Sequence, residues 1–233
     1  MADYSDTTVV IPTLNERYNI ARIVSKLVKS YSGIRIIIAD DGSTDGTKKI
    51  AITISKKNRN VVLLDRTNRR VHGIAASVLD AAVRCRTKKM IVMDADMQHP
   101  VDKVGDISRR LNAENLVVGV RTSVREWGIV RRAISRSAAH FSYLVFKIRS
   151  KPTTNDMMSG FFGIRTADLH RIIKRDPHGF VLKGYKILLD ILRMAPRRVK
   201  IGEVRYETFH DRKKGKSKLG AVQMIYVALS TLK

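Results

Sequence analysis

Five short apolar runs alternate with amphipathic segments through the first 120 residues, and this alternation constrains the fold more than any other feature of the chain. Thr7–Pro12, Ile34–Ala39, Val61–Leu64, Met90–Met93 and Leu116–Val120 are rich in β-branched or aliphatic residues and read as strands. Between them lie helical patterns: Glu16–Tyr31, with Asn15 as its cap and Ile20, Ile23, Val24, Leu27 and Val28 on one face, then a helix ending near Lys57, then Gly73–Arg86 and Val101–Leu111. Strands apolar on both faces and joined by helices form a mostly parallel sheet covered on both sides, an α/β fold. Such sheets bind ligands beyond the carboxyl ends of their strands. A further short strand is expected at Phe161–Ile164.

Acidic residues gather where those strands end. Asp40 and Asp41 close the second strand and lead into Gly42-Ser43-Thr44-Asp45-Gly46, whose glycines permit tight turns and whose Thr44 or Asp45 can cap the next helix. Turn chemistry leaves one carboxylate unexplained, and a carboxylate there can accept two N–H groups from a guanine or one from a uracil. Asp94-Ala95-Asp96-Met97-Gln98 closes the fourth strand. An isolated D-x-D is more often a solvated acidic turn. Directly after an apolar strand it offers hard oxygen donors suited to Mg²⁺ or Mn²⁺, ions that keep water and bind substrate phosphates.

The overall charge is opposite to that of these clusters. Of 233 residues, 45 are Lys or Arg and 21 Asp or Glu, a formal net charge of +24. This favours a polyanionic partner: nucleic acid, an anionic membrane surface or phosphorylated substrates. The single cysteine, Cys85, excludes an intramolecular disulfide framework and a cysteine zinc cluster. Residues Met1–Asn15 have no secretory-signal pattern, and no apolar run reaches spanning length. The base excess lies mainly in the second half. Arg121–Lys151 carries eight basic residues against one acid and includes an amphipathic pattern over Ala133–Ile148, while Arg193–Lys218 carries ten against three. The latter reads as a basic extension. Leu219–Leu232 is uncharged, and is expected to be a juxtamembrane surface helix or the start of a membrane segment.

Pro12-Thr13-Leu14-Asn15-Glu16, Asp40-Asp41-Gly42-Ser43, Asp94-Ala95-Asp96 and Ser159-Gly160-Phe161 stand in the order seen in family 2 inverting glycosyltransferases of the GT-A fold, which this chain resembles from roughly Val9 to Leu219. The string Asp94-Ala95-Asp96-Met97-Gln98-His99-Pro100 and Arg212-Lys213-Lys214-Gly215-Lys216-Ser217-Lys218-Leu219 are similar to those of the family's dolichol-phosphate mannose synthases. The resemblance implies a GT-A catalytic domain over 1–218, followed by the segment 219–233. It implies transfer of mannose from GDP-mannose to dolichyl or another polyprenyl phosphate, with Mg²⁺ or Mn²⁺.

By the same resemblance, Pro12, Leu14, Glu16, Ala39 and Asp41 line the guanine and ribose pocket, with Asp40 close by. Asp94, Ala95 and Asp96 contact the nucleotide sugar, and Asp96 and Gln98 hold the metal. Arg121 reaches the phosphates, Leu182 and Lys186 approach from a later helix, and Arg212 and Lys218 close over the diphosphate. Arg131, Arg132 and Ser135 match the lipid-phosphate site. Asp156 is expected either to hydrogen-bond the sugar or to act as a turn cap, and His99 to be a turn residue without an essential catalytic role. The chain departs from the family at Val101, often proline, at Val120, often serine or glycine, and at Leu14, often tyrosine.

Membrane association at the cytoplasmic face follows as an expectation, at the endoplasmic reticulum in a eukaryote or the plasma membrane in an archaeon, with an anchoring subunit or a further spanning segment. Three rival readings remain: a UDP-glucose-dependent polyprenyl-phosphate glucosyltransferase, a basic nucleic-acid-binding protein and a catalytically dead scaffold at a membrane. Against the second, aromatic residues make up only 6% and no RNA-binding signature occurs.

Overall fold

The computed structural model describes residues 2–122, 141–183, 186–207 and 231. Seven strands form one sheet: β1 (Thr7–Thr13), β2 (Arg35–Asp40), β3 (Val61–Asp65), β4 (Lys89–Val92), β5 (Leu116–Arg121), β6 (Phe162–Arg165) and β7 (Ile201–Tyr206). Their order across the sheet is β3-β2-β1-β4-β6-β5-β7. Only β6 runs against its neighbours β4 and β5; the other pairs are parallel. The helices are α1 (Ile20–Ser30), α2 (Thr47–Lys57), α3 (Ile74–Arg84), α4 (Lys103–Arg110), a helical stretch over 141–148 (α5), α6 (Thr166–Arg175) and α7 (Ile187–Met194).

Period-2 alternation divides each central strand between two cores. Val9, Ile11, Ile36 and Ile38 face the side packed by α1, α2 and α4, with Ile23, Leu27, Ala51 and Ile107. Val10, Ile37, Ala39 and Leu64 face the other side, with Val78 of α3, Phe146 of α5, Leu169 of α6 and Leu188 of α7. Both faces are apolar because both are covered, as the alternating pattern predicts.

The structure alters four local expectations. Helix α1 begins at Ile20, not Glu16, because Asn15 adopts a left-handed conformation (φ 58°) and binds the neighbouring loop instead of capping. Within the expected extension Arg193–Lys218, Ile201–Tyr206 is instead an edge strand paired along β5. Leu182 and Lys186 precede α7 and do not lie on a helix face. In the expected helix Ala133–Ile148, the described part buries Phe146 and turns Phe141, Leu144 and Ile148 outward, the last 83% exposed. Among the described residues no helix is long and apolar enough to cross a membrane.

Helix α4 lies close on β6 because Gly163 has no side chain. A Cβ there would fall 2.5 Å from Ile107 Cγ2 and 2.9 Å from Leu111 Cδ1. Gly163→Ala is therefore expected to destabilise the protein by about 1–3 kcal/mol through overpacking. A denaturant midpoint equal to that of the parent protein would show that α4 has room to move.

Candidate active site

The carboxyl ends of β1 and β2 meet through two loops that lace together. Pro12 pairs with Ala39 and Thr13 with Asp40 across the ladder. Asn15 N–H donates to Ser43 Oγ (2.9 Å) and Asn15 Oδ1 accepts from Thr44 N–H (2.9 Å). Glu16 N–H donates to Thr47 Oγ1 (2.8 Å), and Leu14 stays 41% exposed at the rim.

The two aspartates that end β2 do different things. Asp40 is fully buried; its Oδ1 accepts from the Gly42 and Ser43 N–H groups, and its Oδ2 is enclosed without a hydrogen-bond partner. Asp41 accepts from the buried guanidinium of Arg66, from Gly73 N–H (2.7 Å), and contacts His72 Nδ1 (3.0 Å). Arg66 also donates to Asp80 (2.9 Å), Ser77 Oγ (2.8 Å) and the Val71 carbonyl (2.9 Å). Asp41 thus braces β2 against α3. Removing either partner would strand a buried charge. Leu182 reaches this half of the site, its carbonyl 3.1 Å from where a Cβ on Gly73 would sit.

The second half is built on β4, β5, β6 and β7. After β4, side chains alternate along the turn: Asp94, Asp96 and Gln98 are partly exposed, and Ala95, Met97 and His99 are buried. Met97 takes a left-handed conformation (φ 65°), and Gln98 N–H donates to Asp96 Oδ1 (3.1 Å). Asp94 N–H donates to His99 Nδ1 (3.1 Å). A backbone N–H can only donate, so Nδ1 is unprotonated and the ring proton sits on Nε2, 3.8 Å from Asp94 Oδ2. The ring stacks on Phe161 (centroids 5.1 Å apart) and meets Tyr206 edge-on. Burial pushes the His99 pKa down to about 4, so the ring is neutral at physiological pH.

Arg121 ends β5 and forms a two-pronged pair with Asp156, Nε to Oδ2 at 2.7 Å and Nη2 to Oδ1 at 3.0 Å. Glu203, on β7, fixes the loop carrying Asp156 by accepting from Thr154 Oγ1, Asn155 N–H and Asn155 Nδ2, each at 2.7 Å. Gly160 lets the backbone approach Asp94: a Cβ there would lie 2.8 Å from Asp94 Oδ2. Lys186 donates from Nζ to the Met158 carbonyl. Its pKa falls to about 8, chiefly through burial and then through the charge of Arg121, against the pull of Asp94 and Asp156. Tyr206 Oη is buried beside Ser159, and burial raises its pKa.

The structure thus brings Asp94, Arg121 and Lys186 together, with Ala95, Asp96 and Gln98 on the same turn, and collects Pro12, Leu14, Glu16, Ala39, Asp40, Asp41 and Leu182 around the neighbouring loops. Arg131, Arg132, Ser135, Arg212 and Lys218 lie outside the described residues, as does nearly all of 219–233. Sequence reasoning missed Arg66, Glu203 and Tyr206 altogether, and gave His99 no part beyond the turn. The one available signal was the polar–apolar alternation of Asp94–His99, which places His99 inward. No three His, Cys, Asp or Glu residues converge into a closed metal cage among the described residues. The Asp96 and Gln98 oxygens fit the other kind of site, in which few protein donors leave positions for water and phosphate.

The sequence pattern described as Glycosyl transferase family 2 matches residues 8–173. The chain is 30% identical over 234 residues to a dolichol-phosphate mannosyltransferase of Saccharomyces cerevisiae, covering 94% of this chain and 82% of the relative. It is 28% identical over 223 residues to a polyprenol monophosphomannose synthase of Mycolicibacterium smegmatis, covering 91% and 80%. Among solved structures, the Mycobacterium tuberculosis glucosyl-3-phosphoglycerate synthase with Mn²⁺, UDP-glucose and phosphoglyceric acid shares the fold at a TM-score of 0.69 and 18% identity, covering 96% of this chain and 78% of that one. The architecture is that of the GT-A fold.

His99 generates a stability test. Its folded pKa of about 4 lies below the ordinary 6.5, so between these values the unfolded chain binds a proton that the native state refuses. Stability from His99 is intact above pH 6.5 and is lost as pH falls toward 4, by about 3 kcal/mol in total. Denaturant titrations of the metal-free protein across this window are expected to show a steeper loss in the parent than in His99→Phe. Equal slopes would contradict the buried neutral ring.

Proposed function

The chain belongs to glycosyl transferase family 2, and from that premise we propose that it moves mannose from GDP-mannose to dolichyl or another polyprenyl phosphate with inversion at the anomeric carbon. It is a mannosyltransferase acting on polyprenyl phosphate, in keeping with relatives named for dolichol phosphate and polyprenol. The observation that carries the reading is the cluster of Asp94, Arg121, Asp156 and Lys186 against the Asp94–Gln98 turn at the carboxyl edge of the sheet.

An oxygen of the acceptor phosphate attacks the sugar C1 as the bond from C1 to the GDP oxygen breaks, and the bonding pair leaves with GDP. A phosphate monoester has its second pKa near 6, so it is mostly dianionic at pH 7 and needs no general base. This agrees with a histidine that is buried, neutral and engaged by the backbone. The chain's task is to hold two anions together. Arg121, oriented by Asp156, and Lys186 supply positive charge beside the diphosphate. Asp94, pressed against Gly160, faces the sugar. Asp41, part-exposed and oriented by Arg66, His72 and Gly73, lines the guanine and ribose pocket, with the buried Asp40 close by. A divalent ion, Mg²⁺ or Mn²⁺, held by Asp96 and Gln98 would offset charge on the leaving diphosphate.

Arg131, Arg132 and Ser135 for the lipid phosphate, and Arg212 and Lys218 over the diphosphate, remain part of the proposal, as do a catalytic domain over 1–218 and a membrane-adjacent segment over 219–233. Contact with an anionic membrane is supported by the outward Phe141, Leu144 and Ile148 beside Lys147 and Arg149, and the cytoplasmic face is part of the same proposal.

Labelled GDP-mannose and a polyprenyl phosphate are expected to give labelled lipid, lost on chelation and reduced at least about 100-fold in Asp96→Asn. Thermal protection by UDP with Mn²⁺ but not by GDP would favour the glucosyl donor instead. Because Lys186 titrates near pH 8, kcat/KM for the donor is expected to fall on the alkaline side of that value. Lys186→Arg, which keeps its charge, is expected to lose that limb; an unchanged pH profile would remove Lys186 from the donor site.

A further inference from the structure

A second concentration of charge sits at the opposite end of the sheet, where the strands begin. Arg35 opens β2, Arg59 lies in the α2–β3 connection, Arg84 ends α3 and Arg86 follows it. These four segments converge on one pocket of about 420 Å³, floored in part by Ile37 and Val62, with Asn60 on its wall. Along β2, Arg35 is about 17 Å from the acidic end at Asp40, at roughly 3.3 Å per residue.

The pocket's composition is selective. Its cations are all arginines, no acidic residue lines it, and among the described residues none of the four joins an ion pair. Arg84 gains something from the carbonyl end of α3, but that accounts for one residue only. The adjoining pocket, which shares Arg86, is different: there Lys89 pairs with Asp6 (2.9 Å), and Arg165 donates to the Leu111 and Asn112 carbonyls. Four arginines line one concavity, and an anion bound there would offset the repulsion among their charges. Their flat, forked donors match phosphate oxygens better than lysine does. The apolar floor is left partly open, with Val62 46% exposed.

We propose that this pocket binds a soluble oligophosphate anion, at a site separate from the transfer chemistry. The volume is within the range of small-ligand pockets, and four arginines suit more than one phosphate group. A soluble source is favoured over lipid headgroups because, on the functional reading above, the opposite end of the sheet meets the membrane.

The test is calorimetric titration of the whole chain with inorganic tripolyphosphate, with chelator present. One saturable event is expected. It weakens at least tenfold in Arg35→Ser/Arg84→Ser and independently in Arg59→Ser/Arg86→Ser, but persists in Arg121→Ala. Both double variants are expected to keep basal mannosyl transfer, since these arginines are exposed and remote from Asp96. Undiminished binding in both double variants, or binding lost only in Arg121→Ala, would overturn the proposal. Vesicles containing phosphatidylserine provide the other arm. Equal flotation of parent and variants is expected, whereas lost flotation without a calorimetric change would assign the arginines to a lipid surface and overturn the soluble ligand.

Discussion

One hydrogen bond holds the reactive half of the molecule in register: the Asp94 N–H donating to Nδ1 of a buried, neutral His99. The bond closes the turn after β4 so that Asp94, Asp96 and Gln98 point outward while Met97 takes a conformation few non-glycine residues adopt. The same ring packs on Phe161, just before β6, and on Tyr206 at the end of β7. Phe161 in turn lies against Gly119 of β5, where a Cβ would fall 2.7 Å from its ring. The imidazole therefore joins β4, β6 and β7, with β5 packed behind Phe161. A charged imidazole could not serve, since protonated Nδ1 cannot accept the Asp94 bond.

Charge is sorted along the strands. The carboxyl ends carry the aspartates, and the cations beside them, Arg121 and Lys186, are tied to Asp156 and to a main-chain carbonyl. The amino ends carry arginines without acidic partners among the described residues. The net charge of +24 is thus the sum of unlike populations, and it describes neither end of the sheet well. The ordered pairs at the carboxyl end also explain how so basic a chain keeps carboxylates in place. Glu203 and Asp156 are each held by several donors, and those bonds keep the Glu203 carboxyl below its usual range despite partial burial.

The fold was legible where hydrophobic period and turn chemistry agreed. β1 to β5 follow from their apolar runs, and the D-A-D turn from its position after β4. β7 was hidden because its alternation, Gly202, Val204 and Tyr206 inward, uses a glycine and a tyrosine within a strongly basic stretch. Asn15 misled because capping competes with tertiary bonds, and the loop at Ser43–Thr44 won. The tie from Asp41 to α3 was hidden because its buried partner, Arg66, is 25 residues away and indistinguishable in sequence from a surface arginine. Local pattern reports which face a residue takes; it does not report which distant charge meets it.

The central claim is that Asp96 and Gln98 face a nucleotide diphosphate across a divalent ion. The most direct measurement is anomalous diffraction from crystals grown with Mn²⁺ and GDP. A Mn²⁺ peak at roughly 2.0–2.2 Å from an Asp96 oxygen and from the GDP phosphates is expected, with Gln98 completing the protein side of the shell. A peak bound only by GDP, or one at another carboxylate, would contradict it.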